Sequence, residues 1–435
     1  MNVQTFNKRL FSFISQSPSP FHAIKSMTTI LDSAGFVALE EHNQWEIKNG
    51  QPYYITREDG SLIAFNIGTK DRESLRILGS HSDSPCLQLK PKPDIFIKDY
   101  HQVGVEVYGG ALLNPWFDRE LSIAGRVIYQ KTDNSLCSVL LDFKRPIAII
   151  PSLAIHLDRN ANNEKQINAQ KDIVPIIGLS SKTKTPFIDS IQEQLVSELP
   201  SVKVKKILGS DLFLYDCQTP CYSGLNKEFI ISAKLDNLLS CFVLISVIAQ
   251  ATRDNSYIFV CNNHEEIGSS TASGAQGNLL SSVLERIIPD ASERQRTLAK
   301  SFFISVDNAH ALHPNFQEKH EPSHDIAFNR GPVLKINASH KYATTGISNG
   351  IFKTLCAEKK ISAQEFVMRS DMVCGSTIGP LTASKLGIKT VDIGAPSLAM
   401  HSIREMTGSN DPKLLFTVVD HFLQRKNIPR VLNSE

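Results

Sequence analysis

Histidine and acidic side chains follow five predicted strands of this sequence, close to the point where each strand ends. The strands cover residues 75–79, 229–233, 257–261, 302–306 and 390–393. The side chains that come after them are His81 with Asp83, Asp236, Glu265 with Glu266, Asp307, and His401. Because open α/β sheets bind ligands beyond the carboxyl ends of their strands, we expect these side chains to converge on one cleft.

The residue types suit a pair of divalent metal ions. Two imidazoles and several carboxylates form the mixed nitrogen and oxygen ligand set that zinc, cobalt and manganese accept. Asp83 lies two residues after His81, on the same side of an extended segment, where it is placed to orient the imidazole. Adjacent side chains diverge, so one member of the Glu265–Glu266 pair can bind metal while the other acts as a general base.

Each of these residues also has an ordinary explanation when it is taken singly. An Asp after a strand is commonly a turn former or a helix N-cap, and Asp236 stands before a predicted helix. A Glu–Glu pair is usually solvated surface, and a histidine such as His81 is often only polar. The hypothesis of a metal site therefore rests on the coincidence of all these residues.

The elements that carry these residues alternate between strand and helix, with one long interruption. Helical patterns occupy residues 2–36, and strands follow at 62–67 and 75–79. Between residues 91 and 229 apolar and polar residues alternate in short runs, as is typical of antiparallel β structure, with one helix predicted at 188–199. Strand and helix then alternate again. We predict an α/β fold in which residues 1–90 plus 230–435 form one domain, with helices on both faces of a mixed sheet, and residues 91–229 form an inserted β-rich domain.

Length, charge and hydropathy exclude several classes of protein. The chain has 435 residues, with 46 Lys and Arg against 44 Asp and Glu, which leaves no electrostatic reason to expect a nucleic acid or an anionic membrane as partner. A single core stops growing near roughly 250–300 residues, so two domains are expected. The longest apolar segment, 238–249, is too short to span a bilayer, and the first residues lack the apolar stretch of a signal peptide. We therefore expect a cytoplasmic protein with reduced thiols, in which the close pair Cys217 and Cys221 is structural rather than a zinc knuckle.

Nine segments resemble, in order, the motifs of the M18 aminopeptidases, the aspartyl aminopeptidase family. They are 79–85 (GSHSDSP), 114–119 (NPWFDR), 155–159 (IHLDR), 233–237 (AKLDN), 263–269 (NHEEIGS), 305–310 (SVDNAH), 331–335 (GPVLK), 374–380 (CGSTIGP) and 399–402 (AMHS). The resemblance covers nearly the whole chain. It implies a metallopeptidase domain interrupted by a β-rich dimerisation domain, and a homo-oligomer, namely a dodecamer.

The resemblance also implies the chemistry and the site residues. The activity would be hydrolysis of the N-terminal residue from peptides with a free N-terminus, with a preference for Asp and Glu. Two divalent ions per subunit are implied, most often zinc, with cobalt and manganese as alternatives. One ion would be held by His81, Asp236 and Asp307, and the other by Asp236, Glu266 and His401, with Asp236 bridging them. Glu265 would be the general base and Asp83 the residue that orients His81.

Four further residues acquire roles from the resemblance alone. His156, inside the presumed insertion, would bind substrate or stabilise the oxyanion at the active site of a neighbouring subunit, and the alternative is that it binds metal. Lys335 would pair with the acidic side chain of the substrate. His310 and Tyr342 would line the pocket.

Two alternative functions can be argued from the same sequence. Segment 346–350 (GISNG) fits the nucleophile elbow of α/β-hydrolases around Ser348, and Asp371 and His401 follow in the order of their triad. The segment before it is only weakly strand-like, and a serine hydrolase leaves the other acidic residues unexplained. The second alternative is a non-catalytic peptide-binding assembly protein. It would be expected to lose a ligand or the base, and this sequence has lost neither.

Overall fold

The computed structural model describes residues 1–180, 184–200, 203–429 and 431, and within these ranges the chain folds into sheets flanked by helices. The helices are α1 (Val3–Ser15), α2 (Pro20–Ser33), α3 (Phe187–Glu198), α4 (Leu235–Gln250), α5 (Leu279–Ile287), α6 (Ala291–Lys300), α7 (Gly346–Glu358), α8 (Ile378–Leu386) and α9 (Asp411–Gln424). None of the helices in the described part of the chain has the length and apolar character needed to cross a membrane.

The strands form three sheets. In chain order they are β1 (Val37–Ala38), β2 (Pro52–Arg57), β3 (Ser61–Asn66), β4 (Asp71–His81), β5 (Cys86–Ile97), β6 (Tyr100–Tyr108), β7 (Leu121–Lys131), β8 (Leu136–Asp142), β9 (Ile176–Leu179), β10 (Val204–Asp216), β11 (Cys221–Ser223), β12 (Phe229–Ser232), β13 (Asn255–Asn262), β14 (Phe302–Val306), β15 (Ala309–His310), β16 (Val333–Ile336), β17 (Gln364–Val367), β18 (Lys389–Gly394), β19 (Pro396–Leu398) and β20 (Glu405–Gly408).

The largest sheet has the strand order β1-β2-β3-β13-β4-β14-β18-β16-β17. Its central strands β13, β4, β14 and β18 are parallel, whereas β3 and β16 pair in the antiparallel sense. Side chains alternate between the two faces of a strand, so successive residues of β3 pack in different hydrophobic clusters. Leu62 lies in the cluster that includes α4, and Ile63 lies in the cluster that includes α5. The predicted α/β fold, with helices on both faces of a mixed sheet, is confirmed.

A second, antiparallel sheet lies in the part of the chain predicted to be rich in β structure. Its order is β8-β7-β10-β5-β6-β9, and it packs with α3 around a hydrophobic cluster of its own. In β10, Ile207 and the run Leu212–Leu214 are buried, whereas residues 208–210 are exposed. The division into domains at residues 90 and 230 stays a prediction.

The third sheet corrects one expectation about the site. Its order is β11-β12-β20-β19-β15, so β12, which precedes Asp236, does not belong to the large sheet. His401 likewise follows β19 of this third sheet rather than β18. The side chains expected to converge on one cleft are therefore not all carried by strands of one sheet. A short apolar run such as β12 shows that its residues are buried, but it does not show which strand they pair with.

Candidate metal centre

The predicted metal ligands converge on one cavity although they come from two sheets. His81 ends β4, Asp307 follows β14, and Glu266 lies in a 3-10 turn after β13, all at the carboxyl ends of parallel strands of the large sheet. Asp236 follows β12, and His401 follows β19. All five side chains line a cavity of about 470 Å³.

Asp236 lies between the two imidazoles. Its Oδ1 is 3.4 Å from His81 Nε2, and its Oδ2 is 3.6 Å from His401 Nε2. Asp307 Oδ1 lies 3.5 Å from His81 Nε2, and Glu266 Oε2 lies 3.3 Å from His401 Nε2. Three groups of three potential ligands have ligand atoms within 4.8 Å of one another, and two of them share Asp236. The third group consists of His81, Glu265 and Glu266.

Several ligand oxygens have no hydrogen-bond partner among the described residues. The buried atoms without such a partner include Asp236 Oδ1, Glu266 Oε1 and Asp307 Oδ1. Leaving a buried charged oxygen unpaired is costly, so such atoms call for a partner. A divalent cation supplies one, and the imidazole and carboxylate donors are those that zinc, cobalt and manganese accept. The residues present therefore fit a divalent metal.

The electrostatics of the cluster point the same way. Burial alone would lower the pKa of His81, but the carboxylates of Glu265 and Asp236 outweigh it, and this pKa lies well above its ordinary value. Burial would raise the pKa of Asp236, whereas the imidazoles of His401 and His81 hold it well below its usual range. Burial and the charge of Asp236 raise the pKa of Glu266 well above normal. The cluster thus concentrates negative charge in a buried place, which a cation would stabilise.

Glu265, the predicted base, lines the same cavity. Burial raises the pKa of this carboxyl group to about 7, with the charge of His81 opposing the shift and that of Asp307 adding to it. A carboxylate with a pKa near neutrality can both accept and return a proton.

Asp83 contacts the turn that carries Glu265 and Glu266 as well as His81. The nearest acceptor to His81 Nδ1 is the backbone carbonyl of Asp83 at 3.1 Å, and the Asp83 carboxylate lies 3.4 Å away. This carboxylate accepts the backbone N–H groups of Glu265 and Glu266, both at 3.1 Å, and the hydroxyl of Tyr108 at 2.7 Å. Asp83 thus holds the turn in place, while its predicted role of orienting His81 stays a prediction.

Two residues at the site escaped the sequence analysis. Tyr108, at the end of β6, reaches Asp83 from the second sheet, and no spacing in the sequence indicates that contact. Glu405, at the start of β20, accepts the backbone N–H groups of Asp236 and His401, each at 2.9 Å. The one available signal was its position four residues after His401.

The alternative in which Asp236 is only a helix N-cap is not supported. Asp236 lies at a kink near the start of α4, where its backbone angles are non-helical, and its carboxylate faces the imidazoles of His81 and His401. Its backbone carbonyl accepts the hydroxyl of Ser84 at 2.6 Å, and its N–H is bound by Glu405. These contacts fix the backbone on both sides of the carboxylate.

The three residues predicted to contact substrate within the chain also line the cavity. Lys335 is 3% exposed, and its ammonium group donates to Asp307 Oδ2 at 3.0 Å and to the carbonyl of Asn308 at 2.8 Å. It lies 5.2 Å from the ring centre of Tyr342. Burial and the charge of Lys335 lower the pKa of His310 to about 4, so this imidazole is neutral at physiological pH.

His156 is not brought to the cavity of its own chain. It lies on an exposed segment between β8 and β9 that has no regular secondary structure. It does not line the cavity and belongs to none of the potential ligand groups found among the described residues.

The arrangement around Ser348 differs from a nucleophile elbow. Ser348 is the third residue of α7, and no strand stands directly before this helix. Its hydroxyl accepts the N–H of Thr345 at 2.9 Å, which completes a capping box. Asp371 is paired with Arg369 on the surface, and His401 faces the carboxylates of the metal cluster. The structure therefore does not support the serine hydrolase alternative.

Replacing Ser348 with alanine should leave kcat/KM unchanged and should lower the free energy of unfolding by about 1 kcal/mol, because it removes half of a capping box. Steady-state kinetics and denaturant unfolding measure the two effects. A loss of turnover in a folded Ser348→Ala variant would revive the serine hydrolase alternative.

The chain is similar to known proteins over nearly its whole length. Residues 13–423 match the family model described as aminopeptidase I zinc metalloprotease (M18). A probable M18 family aminopeptidase 2 of Stutzerimonas stutzeri is 45% identical over 425 residues, covering 97% of this chain and 99% of the relative. The protein of the same description from Pseudomonas fluorescens strain Pf0-1 is 44% identical over 429 residues, covering 98% of this chain and all of the relative.

Solved structures share the fold over almost the whole chain. A cryo-EM structure of a complex of Ape4 and Nbr1 matches with a TM-score of 0.94 and 35% identity, covering 97% of this chain and 86% of that one. The mApe1 dodecamer of S. cerevisiae matches with a TM-score of 0.81 and 28% identity, covering 95% of each chain.

Proposed function

Because this chain belongs to the M18 family of zinc metalloaminopeptidases, we propose that it removes the N-terminal residue of peptides, preferably Asp or Glu, at a site that holds two divalent metal ions. The observation that carries the proposal is the position of Asp236, whose two oxygens face His81 and His401 separately.

The two ions are assigned to the two ligand groups that share Asp236. One group consists of His81, Asp236 and Asp307, and the other consists of Asp236, Glu266 and His401. The buried oxygens without a hydrogen-bond partner are found in both groups. The family description names zinc, and cobalt or manganese accepts the same donors.

Glu265 performs the proton transfers in the proposed mechanism. When bound, the metal ions would supply Lewis acidity toward the scissile carbonyl and would lower the pKa of a water molecule. Glu265 removes a proton from the attacking water and returns it to the nitrogen of the leaving peptide. Asp83 holds the backbone N–H of Glu265 and so keeps the base aimed into the cavity.

Lys335 is the proposed partner for an acidic substrate side chain. Among the described residues that line the cavity, it is the only lysine or arginine. An ammonium group has three donors, and two of them are used by Asp307 and the carbonyl of Asn308. The third donor is left for a substrate carboxylate, with neutral His310 and Tyr342 completing the wall.

We extend the proposal to the assembly. The related mApe1 of S. cerevisiae is a dodecamer, and we propose that this chain also forms a homo-oligomer, a dodecamer, in which residues 91–229 mediate dimerisation. His156 is exposed and outside its own cavity, which suits contact with substrate in a neighbouring subunit rather than metal binding in its own. A cytoplasmic location stays a prediction.

The function is tested by release of free amino acid from peptides that begin with Asp, Glu, Leu or Lys. The protein is assayed as purified, after chelation, and after addition of zinc, manganese or cobalt. We expect chelation to abolish activity and metal to restore it, with the highest kcat/KM for Asp or Glu. Recovery with a Leu or Lys preference would refute the role of Lys335, and binding of acidic peptides without cleavage would favour the non-catalytic assembly protein.

A further inference from the structure

We infer that Glu405 is the positioning residue of the metal centre, because its carboxylate holds the backbones of Asp236 and His401 at a set separation. This inference rests on the proposed function, since it gives a buried side chain outside the ligand set a role in metal binding. Glu405 is 2% exposed, and both of its oxygens are engaged. Oε2 accepts the N–H of Asp236 and Oε1 accepts the N–H of His401, both at 2.9 Å.

The topology of the third sheet explains how one side chain reaches both ligands. Strand β20 lies between β12 and β19, which are the strands that precede Asp236 and His401. Glu405 is the first residue of β20 and stands opposite Ser232, the last residue of β12. On the other side, β19 pairs through Leu398 with the residue after Glu405. The carboxylate at this end of the middle strand is therefore placed between the two segments that carry the ligands.

Both segments adopt backbone conformations that need outside support. Lys234, two residues before Asp236, has a φ of 57°, and His401 itself has a φ of 67°. Residues other than glycine rarely adopt positive φ, and they persist there only when surrounding contacts hold them. A carboxylate is an acceptor-only group with two oxygens, so it can receive both N–H groups. A glutamine would present an NH₂ group to one of them and lose that hydrogen bond.

The two proposed ions should depend on Glu405 to different extents. Asp236 and His401 are two of the three ligands of the second ion. Of the ligands of the first ion, only Asp236 is held by Glu405. The other two, His81 and Asp307, lie at the ends of β4 and β14 in the large sheet. Loss of the Glu405 contacts should therefore weaken the second ion more than the first.

The test is metal titration of metal-free wild-type protein and of Glu405→Gln. We expect two ions per subunit in the wild type. In the variant, the affinity for one of the two ions should fall by about 10–100-fold and the affinity for the other should fall less, the usual effect of losing a residue that orients a ligand. Asp411→Asn is the matched control, since Asp411 is also 2% exposed and accepts a backbone N–H, that of Asn329 at 2.8 Å, away from the cavity. It should leave both affinities unchanged, because asparagine keeps one oxygen that can accept the N–H of Asn329.

The outcomes separate this inference from the proposed function. A single ion in the wild type would overturn the dinuclear site. Two ions with wild-type affinities in a folded Glu405→Gln variant would overturn the role of Glu405 and leave the dinuclear site intact. If Glu405→Gln and Asp411→Asn reduced the metal affinities equally, the cause would be a general loss of stability, and the proposed role of Glu405 would also be overturned.

Amide hydrogen exchange provides a readout that does not depend on metal stoichiometry or activity. In metal-free wild-type protein the amides of Asp236 and His401 should already be protected. Glu405→Gln should accelerate exchange at Asp236, at His401 or at both, and not at Asn329, whereas Asp411→Asn should leave Asp236 and His401 protected. If Glu405→Gln does not fold, the wild type still decides, because rapid exchange at Asp236 and His401 without metal would overturn the inference.

Discussion

Glu265→Gln is expected to reduce kcat by about 10²–10⁴-fold, the usual contribution of a general base, while metal binding is retained. Glutamine keeps the shape of the side chain and the backbone N–H that Asp83 accepts, but it cannot take a proton from water. The measurements are kcat and KM on a peptide with N-terminal Asp, together with metal content per subunit.

The neighbouring substitution Glu266→Gln is the matched control for this prediction. It makes the same chemical change one residue further along, at a side chain whose Oε2 lies 3.3 Å from His401 Nε2. We expect Glu266→Gln to weaken metal binding, in contrast to Glu265→Gln. Loss of metal in both variants would assign Glu265 to the ligand set, and full turnover in Glu265→Gln would require another base.

Asp236→Asn is expected to weaken both ions together and to lower kcat/KM by roughly 10³-fold or more, since each metal ion supplies several kcal/mol of transition-state stabilisation. The reason is that Asp236 is shared by the two ligand groups, and an amide offers one neutral oxygen in place of two charged ones. Metal titration followed by kinetics at saturating zinc measures the two effects.

Asp307→Asn is the control that distinguishes a bridging ligand from a ligand of a single ion. Asp307 belongs only to the group formed with His81 and Asp236, so its substitution should weaken binding of one ion and spare the other. If Asp236→Asn also weakened a single ion, Asp236 would be an ordinary ligand and the bridging arrangement would be rejected.

Asp236 and His401 line the same cavity as Asp307, but they reach it from a different sheet. Asp307 follows β14 at the carboxyl edge of the large sheet. The sequence could predict this strand because its five buried residues form a short apolar run. Hydrophobic runs indicate burial, but strand partners depend on distant segments such as β20.

The alternative at Ser348 illustrates the same limit. Its motif is local, and the sequence alone left it open. In the structure, the hydroxyl of Ser348 accepts the N–H of Thr345 in the first turn of α7. The motif alone could not show this, because a nucleophilic serine requires a strand directly before it and a capping serine does not.

The sequence by itself determined the residue types at the site and the fold class: imidazole and carboxylate donors, the separate glutamate Glu265 that is proposed as the base, and an α/β fold whose parallel strands end near three of the proposed ligands. Residue type and local periodicity carry that information. Only the tertiary structure decided the distances around Asp236, the engagement of Lys335 by Asp307, and the supporting contacts of Tyr108 and Glu405. These contacts join segments that are far apart in the chain, and hydrogen bonds between distant segments leave no periodic trace in the sequence.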